Sequence, residues 1–226
     1  DNKTWLSSKD YIKSFNRFLT KKVKLNSKSK ILDIGCGRGK ILGTLSSKLN
    51  LRNKPLGIDI INHKDRDKRI RFMQTNVFSF LLKNKKKFDL ILIKQTIHLL
   101  NLKEINRLLH LLKKNLSQKG KIFILNLDTN NNEIPTFKLM KIKLKQSLKR
   151  DKKIFKLITK LHPYKKTRFN FNVKILKNKY LKMLQQRYIS TLLPMTNSQI
   201  QKGSEEIKYK YKSYIKFKDK LICLTL

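Results

Sequence analysis

Chemistry is first legible in the run ILDIGCGRGKILGTLSSKL, from Ile31 to Leu49. It is apolar, then glycine-rich, then apolar again with helical spacing, the pattern of a buried strand turning into a helix. A strand, a glycine turn and a helix N-terminus form a corner that receives an anion or a cofactor, because backbone N–H groups face the ligand there. The glycines are Gly35, Gly37 and Gly39, spaced G-x-G-x-G, with Lys40 next. A dinucleotide site asks for G-x-G-x-x-G and a Walker loop for G-x-x-x-x-G-K-[ST], and neither is met. A Cβ at Gly35 or Gly37 would obstruct the ligand or a positive-φ turn. Asp59 stands 20 residues beyond Gly39, at the end of a second apolar run, where its carboxylate can accept both hydroxyls of a ribose.

With Asp33 at its head, LDIGCGRG resembles the first motif, D/E-x-G-x-G-x-G, of class I S-adenosylmethionine (SAM) dependent methyltransferases. The resemblance implies that Asp33 helps to hold the methionine ammonium. It implies that Gly35, Cys36, Gly37 and Gly39 lie against the amino-acid and ribose parts, Cys36 as a small turn residue and not a nucleophile. The run GIDI looks like the second motif and gives Asp59 and Ile60 to the cofactor. In TNVF, Asn76 stands where the family often has an Asp beside the adenine, and an amide can still bond the adenine amine. Val77 and Phe78 then supply backbone and stacking contacts, and Lys94 completes the cofactor set.

The fourth apolar run, FDLILIKQTIHLL, carries Lys94, Gln95, Thr96, Ile97 and His98 where methyltransferases of base or glutamine amines usually show [ND]-P-P-[YF]. That argues against base-amine methylation. The segment is similar to small-molecule methyltransferases of the type 11 and trans-aconitate-methyltransferase-like groups. His98 lies just past the strand, where it orients or deprotonates the nucleophile as a general base, or only lines the pocket. In-line alignment alone accelerates methyl transfer strongly. The last quarter, QRYISTLLPMTNSQIQKGSEEIKYKYKSYIKFKDKLICLTL, resembles the C-terminal segment of the same group. Arg187 and Tyr188, with Tyr11, Gln95 and His98, are the substrate candidates. Arg187 either meets a substrate carboxylate bidentately or, with Tyr188, fastens the cap to the core.

The function implied is transfer of a methyl group from SAM to a small metabolite through oxygen, nitrogen or sulfur. A basic cap would draw an anionic acceptor such as a carboxylic acid. The second reading is an RNA- or DNA-modifying methyltransferase that uses its basic surface. A binding protein that has lost transfer conflicts with the intact glycines and Asp59. His63, His110 and His162 show no metal-ligand spacing, so no metal is expected.

These residues need a scaffold. KDYIKSFNRFLTKKV places Tyr11, Phe15, Phe18 and Leu19 at helical spacing, and with Trp5 this pre-domain helix either closes over the cofactor as a lid or simply packs into the core. Strands are expected at KILDIG, PLGIDI, RIRFMQTNV, FDLILIKQ and KIFILNLD, alternating with helices, one of which runs from Leu102 to a stop at Gly120. That alternation predicts an α/β, Rossmann-like, seven-stranded and mostly parallel sheet, with a C-terminal antiparallel hairpin and a helical cap insertion. The chain reads as one domain over 1–226. Residues 130–211 read as an inserted cap with a helical pair, and YIKFKDKLICLTL as two strands about a Lys-Asp-Lys turn.

Composition sets outer limits. The 226 residues are 39% hydrophobic, enough for a core, and no run approaches the roughly 20 apolar residues of a membrane span. The first ten residues hold no apolar secretion segment, and two distant cysteines, Cys36 and Cys223, suggest no disulfide framework. A cytoplasmic location is expected. Lys and Arg number 55 against 14 acidic residues, a formal charge of +41, which points to a polyanion partner or to an AT-rich genome.

Overall fold

The computed structural model describes residues 4–226, so the first three residues of the apolar-poor N-terminal stretch lie outside it. The first helix, α1 (Lys9–Lys22), is capped by the Ser8 hydroxyl, which accepts from the Tyr11 backbone N–H. Its buried face carries Tyr11, Ile12, Phe15 and Leu19.

Strand β1 (Ile31–Ile34) is buried throughout, and α2 (Lys40–Leu49) follows the glycine turn. Then come β2 (Leu56–Asp59), β3 (Arg71–Gln74), α3 (Val77–Lys83) and β4 (Phe88–Lys94). Helix α4 (Leu102–Lys114) begins with a capping box in which Asn101 and Glu104 exchange side-chain-to-backbone bonds. After it run β5 (Leu116–Leu127), α5 (Lys138–Leu161), β6 (Lys165–Leu176), α6 (Lys177–Gln185), α7 (Asn197–Lys210) and β7 (Tyr214–Thr225). The sheet order is β3-β2-β1-β4-β5-β7-β6. Neighbours pair in parallel from β3 to β5, and β7 is antiparallel to both β5 and β6. The order reverses between β1 and β4, which puts the crevice for a ligand at the carboxyl ends of those two strands. One apolar cluster packs α1, α2 and the cap helices on one face, and a second packs α3 and α4 on the other. Among the described residues, no helix is long and apolar enough to cross a membrane.

The sequence reading and the structure differ in four places. Helix α4 ends at Lys114 and not at Gly120, because Asn115 closes it. The Asn115 amide donates to the carbonyls of Leu81 (3.1 Å) and Leu111 (2.9 Å), and its oxygen accepts from Asn84 (2.6 Å). Gly120 falls within β5, where a Cβ would meet the Phe88 carbonyl at 2.7 Å beside the β4–β5 register shift. The expected helical pair is a single 24-residue helix, α5. The segment 130–211 is not wholly a cap, since it supplies β6, paired with β7 from Lys165–Thr225 to Leu176–Tyr214.

Lys218-Asp219-Lys220 is the interior of one continuous strand and makes no turn. Ile215, Phe217, Asp219 and Leu221 fall on one face at period two, so Asp219 occupies an inward position that its lysine neighbours disguise. After α6, Arg187 adopts φ 49° and a 3-10 turn, Ser190–Leu192, follows.

Asn115→Ala would leave the Leu81 carbonyl and the Asn84 amide without their partner. We expect a loss of about 1–3 kcal/mol, read as a lower urea midpoint with unchanged slope.

Candidate active site

The site begins at the turn after β1. Gly35 (φ 71°), Gly37 (φ 53°) and Gly39 (φ 67°) all lie in the left-handed region, so the turn alternates in a way that L side chains resist. At Gly35 a Cβ would also collide with the Thr96 side chain. At Gly37 nothing stands within 4 Å of that position, so bare backbone faces open space. The turn is stapled to β2: Gly35 and Cys36 donate to the Ile58 carbonyl (2.9 and 3.2 Å). The Asp59 carboxylate accepts from the N–H groups of Gly37 (2.8 Å) and Ile61 (3.0 Å). Two oxygens, each holding one N–H, retain lone pairs for a diol.

Behind the turn lies a group of buried charges. Asp33 is buried at the end of β1, and burial pushes its pKa up to about 7, with Lys94 opposing the rise and Asp59 adding to it. Lys94, half-buried at the end of β4, donates to the Gln95 side-chain oxygen (3.0 Å) and lies 5.3 Å from the Tyr11 ring centroid and 5.6 Å from that of Phe15. Burial lowers the Lys94 pKa, while Asp219 and Asp33 support its charge. Asp219, 1% exposed, faces Lys94, the Trp5 indole and the Tyr11 hydroxyl, which moderate the rise that burial causes. Gln95 adopts φ 54° and donates its backbone N–H to the Leu125 carbonyl (2.7 Å), so the chain after β4 turns sharply past the cavity.

A cavity of about 480 Å³ opens from the turn toward the cap, lined by Asp33, Gly37, Lys94, Gln95, His98 and Ser190 among others. His98 sits in a 3-10 turn, Ile97–Leu99, with Nε2 3.5 Å from the Ser190 hydroxyl and Nδ1 buried without a partner among the described residues. Burial lowers its pKa, the nearby Asn126 side chain opposes the shift and Arg150 adds to it, so the ring is neutral at pH 7. Asn126 on β5 donates to Asp151 on α5 (2.8 Å).

The remaining sequence candidates fall around this cavity. Trp5 lines it, whereas Tyr11 is fully buried beneath, its ring stacked on Phe15 and edge-on to Phe169 and Phe171. Arg187 lines the wall, but its guanidinium donates to the Met195 carbonyl (3.0 Å) and Asn197 Oδ1 (2.7 Å). The Tyr188 hydroxyl meets that of Tyr180 (2.8 Å), which donates to the Pro135 carbonyl (2.6 Å). Both side chains are thus engaged within the segment 130–211. Asp59, Ile60, Asn76, Val77 and Phe78 lie beside the cavity and not on its lining. Ile60 is 65% exposed and offers an apolar face, Asn76 caps α3 by accepting from the Phe78 N–H (2.8 Å), and the Arg107 guanidinium lies 5.2 Å from the Phe78 ring.

Asn126, Asp151 and Asp219 were missed from the sequence. Asp151 and Asp219 each stand alone among lysines, in KRDKK and KFKDKL, and in a chain with so few acids that isolation was the available signal.

The sheet order, the glycine turn after β1 and the acid closing β2 define the class I SAM-dependent methyltransferases. The chain belongs to the methyltransferase family described as "Methyltransferase domain", whose sequence model matches residues 25–188. Its fold is similar to that of a methyltransferase assigned to an antibiotic biosynthesis pathway in Anabaena variabilis (15% identity, 94% of this chain and 96% of that one, TM-score 0.62). It is similar also to a SAM-dependent methyltransferase of Geobacter sulfurreducens solved with S-adenosylhomocysteine (SAH), at 12% identity over 97% and 91% of the two chains and a TM-score of 0.58. A precorrin-6y C5,15-methyltransferase of Geobacter metallireducens matches at 10% identity over 93% and 85%, with a TM-score of 0.52. No curated protein sequence matches the chain.

The residues fit SAM. Bare backbone at Gly37 leaves room for a close ligand, a buried carboxylate at Asp33 suits an ammonium, and Asp59 keeps acceptor capacity for the ribose. An ammonium held by Asp33 would need its ionised form, so SAH affinity should fall up to about tenfold per unit as pH drops below about 7. Calorimetry across pH 5–9 measures this, and Asp33→Asn should flatten the slope.

Proposed function

We propose that this methyltransferase acts on a small molecule held inside the capped cavity. The observation that carries the reading is the enclosure itself. One cavity of about 480 Å³ runs from the glycine turn to a wall made of the cap, where Ser190 touches His98 and Tyr188 packs against Trp5. That volume, shared between cofactor and acceptor, leaves room for a small acceptor and not for a polymer and lies within the usual range of small-molecule sites. SAM, when bound, supplies an electrophilic methyl group on a sulfonium.

The chain supplies position and proton handling. Asp33 and Asp59 would hold the ammonium and the ribose of the cofactor. His98, neutral and facing the cavity from just beyond β4, takes a proton from the acceptor or orients it. The cap excludes water and holds the acceptor in line with the departing sulfur, where most of the acceleration arises. The Arg187 guanidinium is already engaged within the cap, which removes the strongest argument for a carboxylate-bearing acceptor.

The nucleic-acid reading has the surface charge on its side, but exposed lysines and arginines sit on α1, α5, α6 and α7 and also on α4 across the sheet from α1. Two assays decide between the readings. SAH should bind wild type in calorimetry and weaken at least tenfold in Asp59→Ala. Labelled methyl groups should pass from SAM to members of a library of small amines, alcohols, thiols and acids, and not to transfer RNA or duplex DNA. Uptake by either nucleic acid above the small-molecule library would reverse the assignment.

A further inference from the structure

We infer that the methyl acceptor is an amine, held by Asp151 at the cap side of the cavity and deprotonated by His98. The inference rests on the methyltransferase reading of the same site. Its starting point is a contrast between outside and inside. The chain carries a formal charge of +41, yet three of its 14 acidic residues, Asp33, Asp151 and Asp219, are buried and line one cavity.

Two of the three have evident counterparts. Asp33 belongs to the cofactor ammonium, and Asp219 faces Lys94, Trp5 and Tyr11. Asp151 has none. It is 4% exposed; Oδ2 accepts from the Asn126 amide, and Oδ1 has no hydrogen-bond partner among the described residues. Arg150, next to it on α5, supports its charge from a distance and gives its guanidinium N–H to the Leu100 carbonyl (3.0 Å). The cations of the cavity wall are engaged elsewhere: Arg38 with Asp65, Arg187 within the cap and Lys94 with Gln95. Lys40 lies beside Asp67. Burial lifts the Asp151 pKa to about 6, which still leaves it ionised at neutral pH.

A buried carboxylate with a vacant oxygen is costly until a donor arrives, and the best donor is a charged N–H. An amine enters protonated, pairs with Oδ1 and recovers that cost. An acid would meet like charge at the same point and would be rejected. The neighbouring surfaces suit the rest of such a molecule, since Ile134, Leu144 and Ile189 line the cavity and Leu99 and Leu193 stand exposed at its edge.

The chemistry balances. His98 takes one proton from the ammonium and frees the nitrogen lone pair. That pair forms the N–C bond as the C–S bond of SAM breaks and its electrons pass to sulfur. The methylated amine leaves as an ammonium ion, and imidazolium returns its proton to solvent.

The test is calorimetry on SAH-saturated protein at pH 8 with three probes of like shape: 2-phenylethylamine, 2-phenylethanol and 3-phenylpropionate. We expect the amine to bind at least tenfold more tightly than the alcohol and the acid. Asp151→Asn should erase that advantage and leave SAH affinity unchanged. An acid or alcohol that binds as tightly as the amine, an amine preference that survives Asp151→Asn, or no binding of the amine overturns the inference. If Asp151→Asn does not fold, the wild-type order of the three probes decides it. Failure of SAH to bind wild type would instead strike the cofactor reading, and the inference with it.

Discussion

Lys94 stands between two carboxylates, and its charge is what allows both to be buried at one end of the sheet. Asp33 lies within β1, Asp219 lies inside β7, and the Lys94 ammonium at the end of β4 moderates the effect of burial on each. Burying three charges without such pairing would cost several kcal/mol per ion. The arrangement is reciprocal, since the two acids support the lysine's charge against its own desolvation. Around this centre the other features fall into place. α1 covers it with aromatic rings, the glycine turn passes above it, and β7 must run antiparallel between β5 and β6 to deliver Asp219 from the far end of the chain.

The cofactor half of the site was legible in the sequence because its chemistry is local. Asp33, Gly35, Gly37 and Gly39 work through a turn of seven residues, and Asp59 through the end of the next strand, so type and spacing carry the information. The acceptor half is tertiary. His98, Asn126, Asp151 and Ser190 come from four separate elements, and no short spacing joins them. The parallel strands were readable as apolar runs. The C-terminal strands were harder, because lysines on their solvent faces break the pattern. Lys218 and Lys220 flank Asp219 so closely that a strand looks like a turn, and Gly120 looks like a helix stop although a tight approach to the Phe88 backbone explains it.

The cap owes its shape to polar contacts that a sequence does not announce. Tyr180 lies fully buried with its hydroxyl shared between Pro135 and Tyr188, and Trp5 packs edge-on to Tyr188 and Phe217. Arg187, in the left-handed region, ends the helical path of α6 and ties it to the start of α7. These bonds join the N-terminal segment, the cap helices and β7 into one wall. The cap side of the cavity is therefore preformed, which would lower the ordering cost of any ligand held there.

Strand β6 has a consequence of a different kind. It is the outermost strand of the sheet, 12 residues long, with one side of its backbone unpaired. A long open edge is a template on which another chain can add a strand and begin a fibre. Here Lys165, Lys166, Arg168 and Lys174 project along it, exposed, and two copies brought edge to edge would set like charges against each other. Part of the basic excess thus acts as a guard against self-association, and neutralising it would convert a solvated border into an adhesive one.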